Sequence, residues 1–213
     1  MELEIYILDL IGTFAFAIYG SYFALRKNFD IFGISVAAFL TAVGGGTIRE
    51  IIFNKTPFYF FDQNYLIAIS LGIAFSLLFF KKFHLVNRVI LFLDSIGLVA
   101  FAFIGASKAN DLGLGIFGTA FFATLTAVGG GALRDLVSNK VPEIMHREAY
   151  ASVAVLLGLS YGIFSNKVEN IVFANGMLIF FLTLRLFTAF KKINLWKPRA
   201  LHSVQLDDEY TLT

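Results

Sequence analysis

The 213-residue chain has no cysteine, only three histidines and three prolines, and charged side chains at just 15% of its positions. Each scarcity closes off chemistry. Without cysteine there is no disulfide, no thiolate metal site and no cysteine nucleophile. His84, His146 and His202 stand far apart, so no metal site is expected. The patterns Gly-x-Ser-x-Gly and His-Glu-x-x-His and the lysine-containing phosphate loop are absent, so the chain is not expected to be an enzyme or to need a cofactor. A net charge of +2, with its basic residues in short loops rather than along one stripe, argues against nucleic acid as a partner.

What is abundant is apolar. Hydrophobic residues make up 58% of the chain and aromatics 16%, with a mean hydropathy of +0.77. A soluble domain carries about 25% charged residues. The composition is that of a membrane protein, with the lipid bilayer as its first partner. The amino terminus, Met1-Glu2-Leu3-Glu4, is acidic where a secretory signal is basic, so the first apolar segment is expected to be kept. A ruler of about 20 apolar residues per spanning helix predicts seven helices, over 5–25, 31–53, 64–80, 89–107, 113–137, 148–164 and 170–190.

One stretch occurs twice. Thr41-Ala42-Val43-Gly44-Gly45-Gly46-Thr47-Ile48-Arg49-Glu50 returns 85 residues later as Thr126-Ala127-Val128-Gly129-Gly130-Gly131-Ala132-Leu133-Arg134-Asp135. At the same offset Asp9 matches Asp94, Gly20 matches Gly105, and Asn54-Lys55-x-Pro57 matches Asn139-Lys140-x-Pro142. The chain is an internal duplication. Three helices per copy, an odd number, require the two copies to enter the membrane from opposite faces. The predicted architecture is therefore an all-α membrane protein: two inverted three-helix repeats, 1–84 and 85–168, a seventh transmembrane helix over 169–190 and a tail over 191–213. Lysine and arginine concentrate in one set of alternate loops (Arg26, Lys27, Lys81, Lys82, Arg88, Arg134, Lys140, Arg147 and the positions after 190), which predicts the amino terminus outside and the carboxyl terminus cytoplasmic. Trp196 between Lys192 and Lys197 suits an interfacial anchor.

Gly44-Gly45-Gly46 and Gly129-Gly130-Gly131 strip side chains from nearly the whole helix circumference, at a cost of roughly 1 kcal/mol per glycine in helix propensity. They predict bends in the second and fifth helices, with freed carbonyls facing a cavity near the midplane. The plainer use of glycine, close helix packing, is the alternative. Arg49 and Arg134, followed by Glu50 and Asp135, lie about a turn beyond the bends, either snorkelling to their interfaces beside a nearby carboxylate or serving as pore-lining or gating groups with partners expected from the other repeat. Thr41 and Thr126 either line the path or bond their own i−4 carbonyls. Asp9, Asp94, Ser21 and Lys108 are possible polar pore contacts, although Lys108 and Arg185 read most simply as snorkelling anchors near helix ends.

The doubled Gly-Gly-Gly-x-x-Arg-[Glu/Asp] in two three-helix repeats with a seventh helix resembles the prokaryotic branch of the trimeric intracellular cation (TRIC) channel family, over about residues 3–190. The resemblance implies a homotrimer with a pore in each protomer, passing potassium and, less selectively, sodium along the second and fifth helices, with bends at Gly44 to Gly46 and Gly129 to Gly131 flanked by Arg49 and Arg134. The Lys-Glu-Val motif of animal members is absent, so their lipid and calcium regulation does not transfer. Similar bacterial proteins have been described as small amino-acid transporters, for glycine in particular, which supplies the alternative function.

Overall fold

The computed structural model describes residues 2–83, 87–145 and 150–191. His84, His146, Arg147, His202, the Trp196 anchor and all of the tail after residue 191 lie outside the described residues. The helices are α1 (Glu2–Arg26), α2 (Ile31–Ile52), α3 (Asn64–Phe83), α4 (Asn87–Asp111), α5 (Gly115–Val137), α6 (Tyr150–Ile163), the single turn α7 (Ser165–Val168) and α8 (Ile171–Phe190). Among the described residues there is no strand. α1, α2, α4, α5 and α8 each contain a window long and apolar enough to cross a membrane, and α3 and α6 are apolar over Asn64–Phe80 and Tyr150–Ile163. α7, a separate turn between the sixth and last apolar segments, was not foreseen.

Helix ends repeat as faithfully as the motif does. Asn54 and Asn139 sit in the left-handed region at φ 55° and 50°, as do Asn28 and its match Gly113 at 56° and 68°. Behind each, a backbone amide returns to a carbonyl five residues back: Lys55 to Glu50 at 2.8 Å, Lys140 to Asp135 at 2.9 Å, Phe29 to Ala24 at 3.1 Å and Leu114 to Ala109 at 3.2 Å. These left-handed caps satisfy carbonyls that the helix leaves without partners. These caps, rather than the prolines of the matched Asn-Lys-x-Pro, close α2 and α5. The helices end at Ile52 and Val137, before the asparagines, and Pro57 and Pro142 instead lead into short 3₁₀ turns at Phe58–Phe60 and Glu143–Met145.

α1, α2, α4 and α5 form the centre, with α1 on α4 and α2 on α5. α3 covers α1, α6 covers α4 and α5, and α8 lies on α4 and α6. Because both α6 and α8 shield it, 72% of the apolar window of α4 is buried, against 44% in α1, its match in the duplication.

α2 and α5 run as uninterrupted α-helices through both glycine triplets, which corrects the expectation of a helical break with freed carbonyls. The triplets are instead where the two backbones meet. A Cβ on Gly45 would run into the carbonyl of Thr126, and one on Gly130 would come within 2.5 Å of the carbonyl oxygen of Thr41. Added to Gly44 or Gly129, it would lie 3.1 Å from the Cα of Gly130 or 3.2 Å from that of Gly45. Contact this close holds the ladders together and offsets the low helix propensity of the glycines.

Candidate functional site

Two polar clusters, related by the 85-residue offset, occupy opposite ends of the bundle. The first gathers the start of α1, the end of α2, the start of α3 and the end of α4. Arg49 donates from Nε at 3.0 Å and from Nη2 at 2.8 Å to one oxygen of Glu50, and the Tyr65 hydroxyl donates to Asp9 at 2.9 Å. Asp9, Arg49, Glu50, Lys55, Tyr65 and Lys108 line a vestibule of about 570 Å³. Alongside it, Asn64 donates to the Tyr6 hydroxyl at 2.7 Å, which donates to Asp62 at 2.6 Å.

The second cluster repeats these bonds at the end of α1, the start of α4, the end of α5 and the start of α6. Arg134 donates to one oxygen of Asp135 at 3.0 and 2.7 Å, and the Tyr150 hydroxyl donates to Asp94 at 2.9 Å. Here the space is nearly gone. The cavity between Tyr19, Thr41, Asp94, Gly131, Arg134 and Asp135 measures about 10 Å³, at the lower limit for a single water.

The equal bonds and unequal spaces have identifiable causes. The guanidinium of Arg134 lies over the rings of Phe23 and Tyr19, 4.4 and 5.0 Å from their centroids. The positions 85 residues on from Tyr19 and Phe23 are Ile104 and Lys108, and both line the vestibule. Aromatic faces thus seat one arginine, while a second cation stands in the cavity wall near the other. α8 is the other cause. Its Arg185 donates to Asp94 at 3.4 Å and covers the Tyr150 ring at 4.7 Å, and α8 has no match in the first half.

Several expectations are corrected here. The carboxylate partners of Arg49 and Arg134 come from the next residue, not from the other repeat. A long guanidinium can curl around the last helical turn to a short neighbouring carboxylate, and at low dielectric the nearest acid wins. The other repeat supplies aromatic faces to Arg134 instead. Arg185 does not snorkel: it is 3% exposed and paired inside the bundle. Thr41 bonds the carbonyl of Ala37 at 2.6 Å, whereas Thr126 is buried without a hydrogen-bond partner among the described residues. Both pack on matched glycines, since a Cβ on Gly20 or Gly105 would meet their hydroxyl oxygens at 2.5 and 2.6 Å. Ser21 is fully buried on the carbonyl of Ala17 at 2.7 Å, and Lys108 is exposed in the vestibule wall. Sequence reasoning missed Tyr65 and Tyr150, although they too are 85 residues apart. Among the described residues no group of histidine, aspartate and glutamate side chains could hold a metal.

The fold and the paired clusters define a polytopic helical membrane protein built by duplication. A family model described as "Glycine transporter" matches the chain twice, over residues 6–81 and 91–166, the second match displaced by the same 85 residues. A UPF0126 membrane protein of Deinococcus radiodurans is 43% identical over 150 residues, covering 69% of this chain and 70% of the relative. A chain from a structural study of conductance through TRIC cation channels superposes with a TM-score of 0.83 at 35% identity, covering 91% of this chain and 97% of that one. The TRIC trimeric intracellular cation channel orthologue from Rhodobacter sphaeroides gives a TM-score of 0.80 at 29% identity over 89% and 98%. The chain belongs to this family, the UPF0126 membrane proteins, which is also the family of the TRIC cation channels. It is a family of membrane proteins, not of enzymes.

Proposed function

We propose that the protein is a monovalent-cation channel that prefers potassium and also passes sodium, needs no cofactor, and works as a homotrimer with a pore in each protomer. The observation carrying this is the arrangement of the two matched clusters at opposite ends of one bundle, with the Gly45 and Gly130 crossing between them. An ion enters the vestibule beside Asp9 and Glu50, reaches the crossing and leaves past Asp94 and Asp135. In the present conformation the crossing is shut and the far end closed. Conduction requires α2 and α5 to bend or part there, and the triplets favour bending because three glycines in a row weaken the helix locally. The carbonyls of Thr41 and Thr126, now seated against the opposing glycines, then face the ion. Weak, multiple oxygen contacts suit a conducting ion, which must leave as readily as it enters.

The clusters also support the inverted arrangement of seven spans, with halves over 1–84 and 85–168, a seventh helix over 169–190 and a tail from 191. The start of α1 meets the end of α4 in one cluster, and the end of α1 meets the start of α4 in the other. The loop charges put the Asp9 end outside and the Asp94 end in the cytoplasm of a cell with this protein in its inner membrane.

A second reading has specific support in the description of the matching family model and in the vestibule itself, which offers Arg49 and Lys108 to a carboxylate and Asp9 and Glu50 to an ammonium. In that reading the two ends open alternately around a small amino acid such as glycine. Proteoliposomes separate the two. Downhill potassium efflux without glycine accumulation, reduced by Asp9→Asn, is the expected result. Concentrative glycine uptake with no potassium leak would replace the channel with the carrier.

A further inference from the structure

The wall of the 570 Å³ vestibule holds three carboxylates, Asp9, Glu50 and Asp111, and three cations, Arg49, Lys55 and Lys108, so it carries no net charge. Arg49 and Glu50 cancel each other directly through two hydrogen bonds. Lys108 is different. It is exposed in the last turn of α4, and among the described residues no hydrogen bond or ion pair engages its ammonium. Its charge acts through space on the Asp9 carboxylate. The duplication puts Phe23 at the equivalent place in the first half, so the fold itself does not demand a charge there. We infer that Lys108 is a specificity residue that keeps divalent cations out of the vestibule while monovalent ones enter. The inference deepens the channel reading and rests on the vestibule being an entrance to its path.

A lysine in the last turn also suits the negative end of the α4 dipole. That role concerns stability and does not tell one ion from another, whereas a fixed charge facing a water-filled cavity does. If removing that charge multiplies the local concentration of a monovalent cation by some factor, it multiplies that of a divalent cation by the square of the factor, because the Boltzmann exponent doubles with the ion's charge. Low-dielectric walls keep the field from spreading, and a unit charge within about 8 Å is then worth about threefold or more for a monovalent ion. With Lys108 in place, the carboxylates that Arg49 leaves unanswered, Asp9 and Asp111, are balanced by Lys55 and Lys108. Without it the wall becomes net negative, and divalent ions collect there first.

The absence of native cysteine gives a clean test. Leu112 is 46% exposed and lines the vestibule one turn beyond Lys108, so Leu112→Cys is the reporter. Asn166→Cys, exposed on α7 and outside the vestibule, is the control. Each is made in the full chain and held in nanodiscs at low ionic strength. The rate of reaction with a singly charged cationic methanethiosulfonate reads monovalent entry, and Mn²⁺ broadening of a neutral nitroxide on the same cysteine reads divalent entry. Lys108→Gln is expected to raise the first at least about threefold and the second by the square of that factor, at least about ninefold. Lys108→Arg leaves both near their starting values, and Lys108→Glu exceeds Lys108→Gln. All differences shrink at about 1 M salt, where the Debye length is about 3 Å, and Asn166→Cys stays put throughout. Mn²⁺ broadening indifferent to the charge at position 108, or a rise by the same factor in both readouts, overturns the inference. Potassium currents recorded on the same proteins keep the two proposals apart. A squared response with no current in any variant removes the channel reading and leaves Lys108 as the charge that excludes divalent ions, while current with an indifferent Mn²⁺ response does the reverse.

Discussion

Asp135 is fully enclosed, whereas Glu50 sits in the wall of the vestibule, so the two matched ion pairs differ in what their loss costs. Asp135→Asn takes away the charge that accepts both of the Arg134 bonds at 3.0 and 2.7 Å inside the bundle and is expected to destabilise the protein by about 3–5 kcal/mol, the range for breaking a buried pair. Glu50→Gln should cost clearly less, because Arg49 can turn toward the vestibule. Thermal midpoints of the two variants, purified side by side, check the order, and an equal loss would contradict it. The glycines divide in the same way. Gly45→Ala drives a methyl into the Thr126 carbonyl and should cost about 1–3 kcal/mol as overpacking. Gly131→Ala meets nothing closer than 3.9 Å and should gain roughly 0.5–1 kcal/mol from helix propensity. Opposite signs in the two melting shifts are the expected outcome. At this scale the sequence exposed which residues matter, because Arg49, Glu50 and Asp9 each recur 85 positions on. It could not show whom they touch. Adjacent helical residues diverge by about 100°, and only the length and flexibility of the arginine let it close on its neighbour.

Helices were legible wherever apolar runs were long: the expected 31–53 and 170–190 became Ile31–Ile52 and Ile171–Phe190. Where they stop is less legible, because proline is the more conspicuous breaker while the left-handed asparagine before it ends the helix. That assignment predicts that Asn54→Gly is close to neutral and that Asn54→Ala costs about 1–2 kcal/mol, as does Asn139→Ala, since only a residue at ease with positive φ fits there. Equal stability of the glycine and alanine variants in a melting comparison would return the stop signal to Pro57. The glycine triplets show the other limit of sequence reading. Propensity says that three glycines weaken a helix, but an equally side-chain-free partner across the interface restores it through backbone contact. Which of the two wins depends on where α2 and α5 cross, and no single segment carries that information.

Across the whole molecule, duplication sets out two equivalent ends, and the unmatched parts make them unequal. Phe23 and Tyr19 seat Arg134 where Lys108 and Ile104 stand in the other half, and α8 brings Arg185 to only one aspartate. The symmetry was legible from one offset. The asymmetry was not, because Arg185 near the end of an apolar helix has the same sequence signature as an interfacial anchor. In the channel proposed above, the wide vestibule, the glycine crossing and the small far cavity lie along one path, and conduction requires α2 and α5 to move apart at the crossing. The most direct test is electrical: the purified protein in a planar bilayer under a potassium chloride gradient, with unitary currents and their reversal potential recorded. Discrete steps that reverse near the potassium potential are the predicted result. Reversal at the chloride potential, or an electrically silent bilayer from protein that accumulates labelled glycine in vesicles, would contradict it.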